Sequence, residues 1–242
     1  MAKLRVHNIE PSTGTDVAFG TTGDTIAVSS DSLKTNVWKD SGGNTLFQSD
    51  GAGTLSNVNS ALQGNGPKLI QTQTPSNAAY VEFASNIDNT YDKYQFVFIN
   101  VRPATDQAYF QFQGSTNGGS AYGVTKTTTF FEDWHNEADN ASGLGYSASH
   151  DLAQSTAAQK ISGAQGSGAD EGLSGIITMW APSSTTYVKQ FYSRINYYWG
   201  GTGSGSIYVG GYFNTTLAIK AYLFAFNSGN IADGTIKLYG IS

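Results

Sequence analysis

Two short aromatic clusters contain the residues of this chain whose types and spacing could bind a ligand. The first, Phe130-Phe-Glu-Asp-Trp-His-Asn136, places two Phe, one Trp and one His within seven residues. The second, Tyr197-Tyr-Trp199, stands directly before a glycine-rich turn. Aromatic rings flanked by hydroxyl and amide side chains suit the apolar faces of sugar rings. The candidate contacts with a surface glycan or with another subunit are Trp134, His135, Tyr197, Tyr198 and Trp199.

Strand geometry limits where these rings can go. Neighbouring residues of a strand point to opposite faces, so adjacent rings cannot all enter one core. We therefore expect both clusters at a surface, with Tyr197 to Trp199 packed between subunits and with Trp134 and His135 exposed. Contact with a glycan and simple packing inside one chain are the alternatives.

Acidic residues near the first cluster offer an enzymatic alternative, the hydrolysis of a polysaccharide. This reaction needs two carboxyl groups about 5–10 Å apart across the scissile bond. Glu132, Asp133 and Glu137 surround Trp134, and Asp170-Glu171 follows in a later glycine-rich stretch. The simpler interpretation is that these are solvated loop acids. We predict no catalytic residues, and we expect that the protein is not an enzyme.

Histidine and cysteine usage gives no pattern typical of a metal centre or a cofactor site. The three histidines, His7, His135 and His150, form no His-x-His or His-x-x-x-His pair. The absence of cysteine removes thiolate nucleophiles, disulfides and Cys-ligated zinc. We therefore predict no metal site and no cofactor.

Two other polar stretches fail as binding motifs. Oxygen-bearing residues that could hold calcium, such as Asp88, Asn89 and Asp92 or the pair Asp139-Asn140, match no calcium-loop consensus. The run Gly163-Ala-Gln-Gly-Ser-Gly168 lacks the Gly-Lys-Ser/Thr of a phosphate-binding loop and the spacing of a Gly-x-Ser-x-Gly nucleophile elbow.

The composition of the 242 residues bounds the class of protein. Charged residues make up 13%, about half the usual share, while aromatic residues also reach 13% and Gly numbers 29. This is the opposite of the composition of disordered chains. The net charge of −5 argues against a general nucleic-acid binder. No signal peptide and no run of about 18 apolar residues occurs, so we expect cytoplasmic synthesis and no membrane insertion.

The chain divides near residues 62–67. Residues 1–62 are poor in large apolar residues and contain short Gly-Thr-apolar units, which indicate an extended or short-stranded attachment and oligomerisation arm. A small β-subdomain docked on the larger part is the alternative. Residues 63–67, Gln63-Gly-Asn-Gly-Pro67, are predicted to form a linker. Residues 68–242 carry eight or nine short alternating segments separated by turn residues, which predict an antiparallel β-sandwich or jelly roll.

Two segments of this larger part are distinctive. Tyr94-Gln-Phe-Val-Phe-Ile-Asn-Val101 is apolar on both faces, so we expect a central strand that is covered on both sides. Residues 132–174 are rich in Gly, Ala, Ser and Asn, and we expect a long functional or oligomer-ordered loop there. The fold class predicted from these patterns is all-β.

The C-terminal run Ala221-Tyr-Leu-Phe-Ala-Phe-Asn-Ser-Gly-Asn-Ile-Ala-Asp-Gly-Thr-Ile-Lys-Leu-Tyr-Gly-Ile241 carries a family resemblance. It resembles the closing hairpin of the β-sandwich domains in tail-fibre, head-fibre and capsid-decoration proteins of tailed bacteriophages, especially those of marine and cyanobacterial phages. Residues 91–104 are similar to the first long strand of these domains, and residues 44–55 resemble their short spacer segments. The resemblance implies a virion protein, usually a homotrimer, and supplies no catalytic residues.

These observations lead to one expected function and two alternatives. We expect a short homotrimeric virion fibre or appendage that binds other virion proteins through its N-terminal arm and contacts the host cell surface, with its glycans, through the distal sandwich. The first alternative is a capsid-decoration protein that stabilises the head shell. The second is a polysaccharide depolymerase, for which Glu132, Asp133 and Glu137 would be the candidate residues.

Overall fold

The computed structural model describes residues 37–40, 42–50, 52–59, 66–200 and 202–242. The described chain is all-β, which confirms the predicted fold class. It separates into two compact units, residues 1–64 and 65–242. Much of the predicted arm, including His7, lies outside the described residues. Among the described residues there is no helix that could cross a membrane.

The described part of the first unit is a small antiparallel sheet. Its strands are β1 (Val37–Lys39), β2 (Thr45–Ser49) and β3 (Leu55–Ser56), with β2 in the middle. The two turns are built by aspartates: the Asp40 carboxylate accepts hydrogen bonds from the amides of Gly42 and Asn44, at 2.9 and 2.8 Å. Such side-chain turns explain why short strands form in a sequence with so few apolar residues.

The second unit is a sandwich of two antiparallel sheets. The larger sheet has the strand order β4-β15-β6-β11-β12-β13-β8-β9, and the smaller has the order β10-β7-β14-β5. The strands are β4 (Lys68–Gln73), β5 (Val81–Phe83), β6 (Lys93–Pro103), β7 (Phe110–Ser115), β8 (Lys126–Asn136), β9 (Ser142–Tyr146), β10 (Gln159–Lys160), β11 (Leu173–Trp180), β12 (Lys189–Trp199), β13 (Gly203–Phe213), β14 (Ala221–Phe226) and β15 (Ile231–Ile241).

Eight of these strands have the pairing of a jelly roll. The order β4-β15-β6-β11 in one sheet and β5-β14-β7-β10 in the other is the double Greek-key arrangement of that fold. Two hairpins are added to it. β8–β9 is inserted between β7 and β10, and β12–β13 between β11 and β14, and together they extend the larger sheet by four strands.

Phenylalanine rings fill the space between the two sheets. Phe224 of β14 lies at the centre, with ring centroids 4.9 Å from Phe96 and 5.2 Å from Phe98 of β6. Phe112 of β7 meets Phe191 of β12 edge-to-face at 5.0 Å. Edge-to-face aromatic pairs contribute packing energy beyond their buried area. The core therefore spans both the jelly-roll strands and the added hairpins.

Two expectations need correction. The stretch 132–174 is not one long loop, because β8 continues to Asn136 and β9 and β10 follow within it. β6 is a central strand, as predicted, but its second face is not covered within the described chain. Ile99 on that face is exposed, and a bulge at Asn100, with φ of 49°, turns Val101 back into the core.

Candidate functional site

A polar groove of about 620 Å³ lies at one end of the larger sheet. The ends of β8, β12 and β13 form one wall, and the loop that precedes β11 forms another. Its polar lining side chains include Asn100, Asn136, Glu137, Asp170, Asn196 and Tyr198. Several of the predicted site residues therefore meet at the same end of the sheet.

Strand alternation separates Tyr197 from Tyr198. Tyr197 is only 5% exposed and belongs to the core of its own chain, so the expectation that it lies at a surface is wrong. Glycines make room for its ring. A Cβ at Gly163 would lie 1.9 Å from the Tyr197 hydroxyl, and one at Gly205 would lie 2.5 Å from the ring. The burial raises the pKa of Tyr197 to about 12.

Tyr198 points to the opposite face and lines the groove. Its hydroxyl donates a hydrogen bond of 3.1 Å to Oε1 of Glu137, which lies on the turn after β8. This hydrogen bond raises the pKa of the Tyr198 phenol. The pair fixes an aromatic ring beside a carboxylate, an arrangement that offers both stacking and hydrogen bonding to a ligand.

Trp134 and Trp199 form one pair at this end of the sheet. Their ring centroids are 5.2 Å apart with an edge-to-face angle of 60°. Trp134 is half-buried rather than exposed, because it covers Gly143 of β9, where a Cβ would lie 2.7 Å from the indole nitrogen. Trp199 is also half-buried and packs against the core. The two indoles thus support the turns that border the groove.

His135 lies on the outer face of β8 and is the most open of the predicted site residues. Its side chain is 57% exposed, and its Nε2 lies 3.1 Å from Oδ1 of Asp139 on the following turn. The imidazole lines the groove. It is therefore available at the surface to a ligand or a neighbouring subunit.

The acidic residues considered for hydrolysis are divided by the strand. Glu132 and Asp133 are neighbours on β8 and point to opposite faces of the sheet, so they do not form a pair across one bond. Glu137 instead enters the groove, with Asp170 and Glu171 from the loop before β11. Of the five acids considered from the sequence, these three carboxylates are the ones that converge.

A salt bridge closes one side of the groove. Arg102 of β6 donates from Nε to Oδ1 of Asp233 at 3.2 Å, and its Nη1 donates to the Ser167 carbonyl at 2.9 Å. The ion pair raises the pKa of the Arg102 guanidinium. Since Arg102 is engaged with Asp233, the groove presents an excess of negative charge from Glu137 and Asp170. Polyanionic ligands are disfavoured by such a surface.

The remaining metal and histidine candidates do not assemble. The part of the chain that the structure describes contains no group of three or more His, Asp or Glu side chains placed to hold a metal ion. Asp88 accepts hydrogen bonds from the Thr90 amide and the Tyr94 hydroxyl, at 2.8 and 3.0 Å. His150 packs against Phe130 at 5.1 Å, and burial lowers its pKa.

Sequence reasoning missed Asn100, Asn196 and Asp233 as groove residues. A weak signal existed for two of them. Asn100 interrupts an otherwise apolar strand, and Asp233-Gly234 is a turn-type pair inside the C-terminal strand. Both positions are bulges, where β6 and β15 lose their regular pairing. Asn196 carried no signal, because its outward direction depends on the register of β12.

Comparisons of the chain with protein-family models, with curated proteins and with solved structures gave no match.

Proposed function

We propose that this protein is a structural protein of a tailed-bacteriophage-like virion, a short homotrimeric appendage whose jelly-roll unit binds glycan on the host surface. The observation that carries the proposal is the position and lining of the groove. It combines an aromatic ring, amides, hydroxyls and carboxylates in one open cleft of about 620 Å³. This mixture matches the alternating apolar faces and hydroxyl edges of a sugar chain.

The groove lies far from the point where the chain enters the second unit. Lys68, the first residue of β4, pairs with Gly240, which in turn pairs with Tyr94 at the start of β6. Asn100 and Asp233, which line the groove, are near the other end of the same β6–β15 ladder. The chain therefore enters the second unit at the end of the β6–β15 ladder opposite the groove.

The charge of the groove favours one class of glycan. The carboxylates of Glu137 and Asp170 can accept hydrogen bonds, so they suit the hydroxyls of neutral sugars and the ammonium groups of amino sugars. They repel uronic and sialic acids. The proposed ligand is therefore a neutral or amino-sugar polysaccharide.

The test measures binding of the purified chain to three probes: N-acetylglucosamine oligomers, glucosamine oligomers and oligogalacturonate. We expect binding to one or both of the first two and none to the third. Tyr198→Ala should weaken the affinity by about 10–100-fold, the range expected when a central aromatic contact is lost. Gln113→Ala, on the outer face of the smaller sheet, is the matched control. Equal affinities for wild type and Tyr198→Ala would refute the assignment of the groove.

The same experiment addresses the hydrolytic alternative. Release of reducing sugar from any probe, abolished by Glu137→Gln, would replace the binding proposal by polysaccharide depolymerisation. Glu132→Gln serves as the control there, because Glu132 does not line the groove.

Capsid decoration is the second candidate function, and the broad apolar face of the larger sheet is the observation that favours it. A protein that clamps shell subunits needs extensive contact with protein rather than with sugar. Imaging of the assembled particle separates the two functions. Density on the head at symmetry axes would support decoration, whereas density on the tail or on projecting fibres would support host attachment.

A further inference from the structure

The outer face of the larger sheet is unusually apolar for a surface open to water. The structure describes ten exposed large hydrophobic side chains in the second unit, and seven of them lie on this face. They are Leu69, Ile99, Phe131, Leu144, Tyr146, Trp180 and Tyr192. Tyr192 is 43% exposed and Leu144 is 77% exposed. Contiguous exposed patches of this kind mark interaction surfaces.

The strand register places the outward side chains of neighbouring strands in rows across the sheet. One row crosses seven neighbouring strands from β15 to β9 and consists of Lys237, Val97, Ile176, Arg194, Tyr208, Phe131 and Tyr146. Tyr208 stacks on Phe131 with ring centroids 4.8 Å apart and an angle of 5°. The Arg194 guanidinium lies 5.4 Å from the centroid of the Tyr208 ring. Stacking of side chains thus orders the middle of this face.

The smaller sheet provides an internal comparison. Its outward residues are mostly polar, namely Glu82, Gln111, Gln113 and Lys160, with Leu223 and Ala225 between them. All six are half-buried, and none of them is a large exposed hydrophobic side chain. The two outer faces belong to the same unit and the same solvent. The contrast indicates that the face of the larger sheet is covered in the functional state.

The size of the face matches an interface between protein chains. Eight strands about 4.8 Å apart, with four rows of outward side chains about 6.8 Å apart, cover roughly 900 Å². A stable protein interface buries about 800 Å² on each partner. A single glycan chain would cover only a small part of this area.

The charges on the face are complementary between its two sides. Lys93 and Lys237 lie on the β6 and β15 side and Arg194 lies between the two sides on β12, whereas Asp133 lies on the β8 side. A second copy that sets its β8 side over the β15 side of the first brings the aspartate opposite the two lysines. Opposite charges at such positions fix register and orientation.

We infer that the outer face of the larger sheet, outside the groove end where His135, Tyr198 and Ser204 lie, is the surface through which copies of this chain associate. Tyr192, Phe131 and Ile176 lie at the centre of this surface. The inference rests on the homotrimer of the proposed function but not on the glycan groove. It names the contact surface that this assembly requires.

The test compares native mass and thiol reactivity. Wild type should sediment as a multiple of the 25.7 kDa chain, and the double variant Phe131→Glu/Tyr192→Glu should sediment as a single chain. Both residues are exposed, so the charges should leave the fold of the unit intact, which far-UV circular dichroism checks. Gln111→Glu/Gln113→Glu on the smaller sheet is the control and should retain the wild-type mass.

Because the chain has no cysteine, a thiol placed by Tyr192→Cys reports on the face without background. It should react with maleimide more slowly than the thiol placed by Gln113→Cys. A monomeric wild-type chain would overturn the inference. If the thiol at position 192 of such a monomer still reacted slowly, residues of the same chain would be covering the outer face. Assembly with fast reaction at position 192 would also overturn it, since another surface would then hold the copies together.

The glycan assay on the same variants keeps the two proposals apart. The single-chain form of Phe131→Glu/Tyr192→Glu should keep the per-site affinity of the groove, because neither residue lines it. If the wild-type chain assembles but binds none of the glycan probes, only the proposed host contact is contradicted.

Discussion

The buried Lys126 makes the stability of the second unit depend on pH in a way that can be measured. Lys126 opens β8 on its inner face and is fully buried. Its ammonium donates to the Val124 carbonyl at 3.0 Å and lies 5.5 Å from the centroid of the Phe213 ring. No salt bridge to it occurs among the residues that the structure describes. Burial lowers its pKa from 10.5 to about 8.

The direction of the effect follows from proton binding. Between pH 8 and pH 10.5 the unfolded chain keeps a proton on Lys126 that the folded chain has lost. The unfolding free energy therefore rises with pH across this interval, by up to about 3 kcal/mol for a shift of this size. Above pH 10 the unfolded tyrosines ionise, whereas burial keeps the pKa of Tyr94 and Tyr197 near 12. The increase in unfolding free energy that Lys126 causes is thus confined to about pH 8–10. The unfolding free energy should therefore be highest near pH 10.

Urea unfolding between pH 7 and pH 10 measures this gain, with Lys126→Met as the test variant. Methionine keeps the length of the side chain and removes the buried charge. At pH 7 we expect the variant to be about 1–2 kcal/mol more stable than wild type, because the removed desolvation cost exceeds the lost hydrogen bond. Its stability should rise less with pH than that of wild type. Lys189, whose pKa burial also lowers, should supply a smaller residual slope.

The variant Lys220→Met is the matched control, since the Lys220 side chain is exposed just before β14. Its pH profile should follow that of wild type closely. Parallel profiles for wild type and Lys126→Met would refute the reasoning, because they would show that Lys126 titrates alike in the folded and unfolded chain.

Three further substitutions test the packing. Phe224→Ala, at the centre of the aromatic core, should lower the unfolding free energy by about 3–5 kcal/mol in denaturant titrations. Gly205→Ala should cost about 1–3 kcal/mol, because its Cβ would lie 2.5 Å from the Tyr197 ring, whereas Gly210→Ala on the same strand meets only a 3.6 Å contact and should cost less. Trp134→Ala removes a half-buried ring and should lower the melting temperature by less than Phe224→Ala does.

The regular strands of the core could be predicted from the sequence because their alternation is strong. Tyr94, Phe96 and Phe98 share one face of β6 in the pattern, and all three are buried in the structure. The same applies to Phe224 and Phe226 of β14. Where every second residue is large and apolar, burial leaves no other register for the strand.

The strands β9 and β10 could not be predicted, because their packing partners are supplied by distant residues. β9 reads Ser-Gly-Leu-Gly-Tyr, and its glycine at 143 is covered by the indole of Trp134. The glycine-rich run after β10 is similar, since Gly163 accommodates Tyr197 and Gly166 accommodates Glu171. Low apolar content in these stretches reflects close approach of large side chains, not the lack of a core.

The groove itself depends on topology. Asn100 and Asp233 are separated by more than half of the chain, and β6 and β15 pair only because the jelly roll closes its C-terminal strand against its first long one. The sequence patterns predict the strands, but they do not predict that β6 pairs with β15. For that reason Tyr198 and Glu137 could be named as candidates from the sequence, whereas their meeting with Asp233 in one groove could not be predicted.

The four strands added to the jelly roll provide many of the residues of the groove and of the apolar outer face. The eight jelly-roll strands supply most of the aromatic core, including Phe96, Phe112 and Phe224. The hairpins β8–β9 and β12–β13 place Tyr198 and the turn of Glu137 at the groove, and they put Phe131 and Tyr192 on the apolar outer face. Both proposed surfaces thus depend on the same insertion. A change that unpairs β13 from β8 should therefore impair glycan binding and self-association together, whereas the point variants described above should separate them.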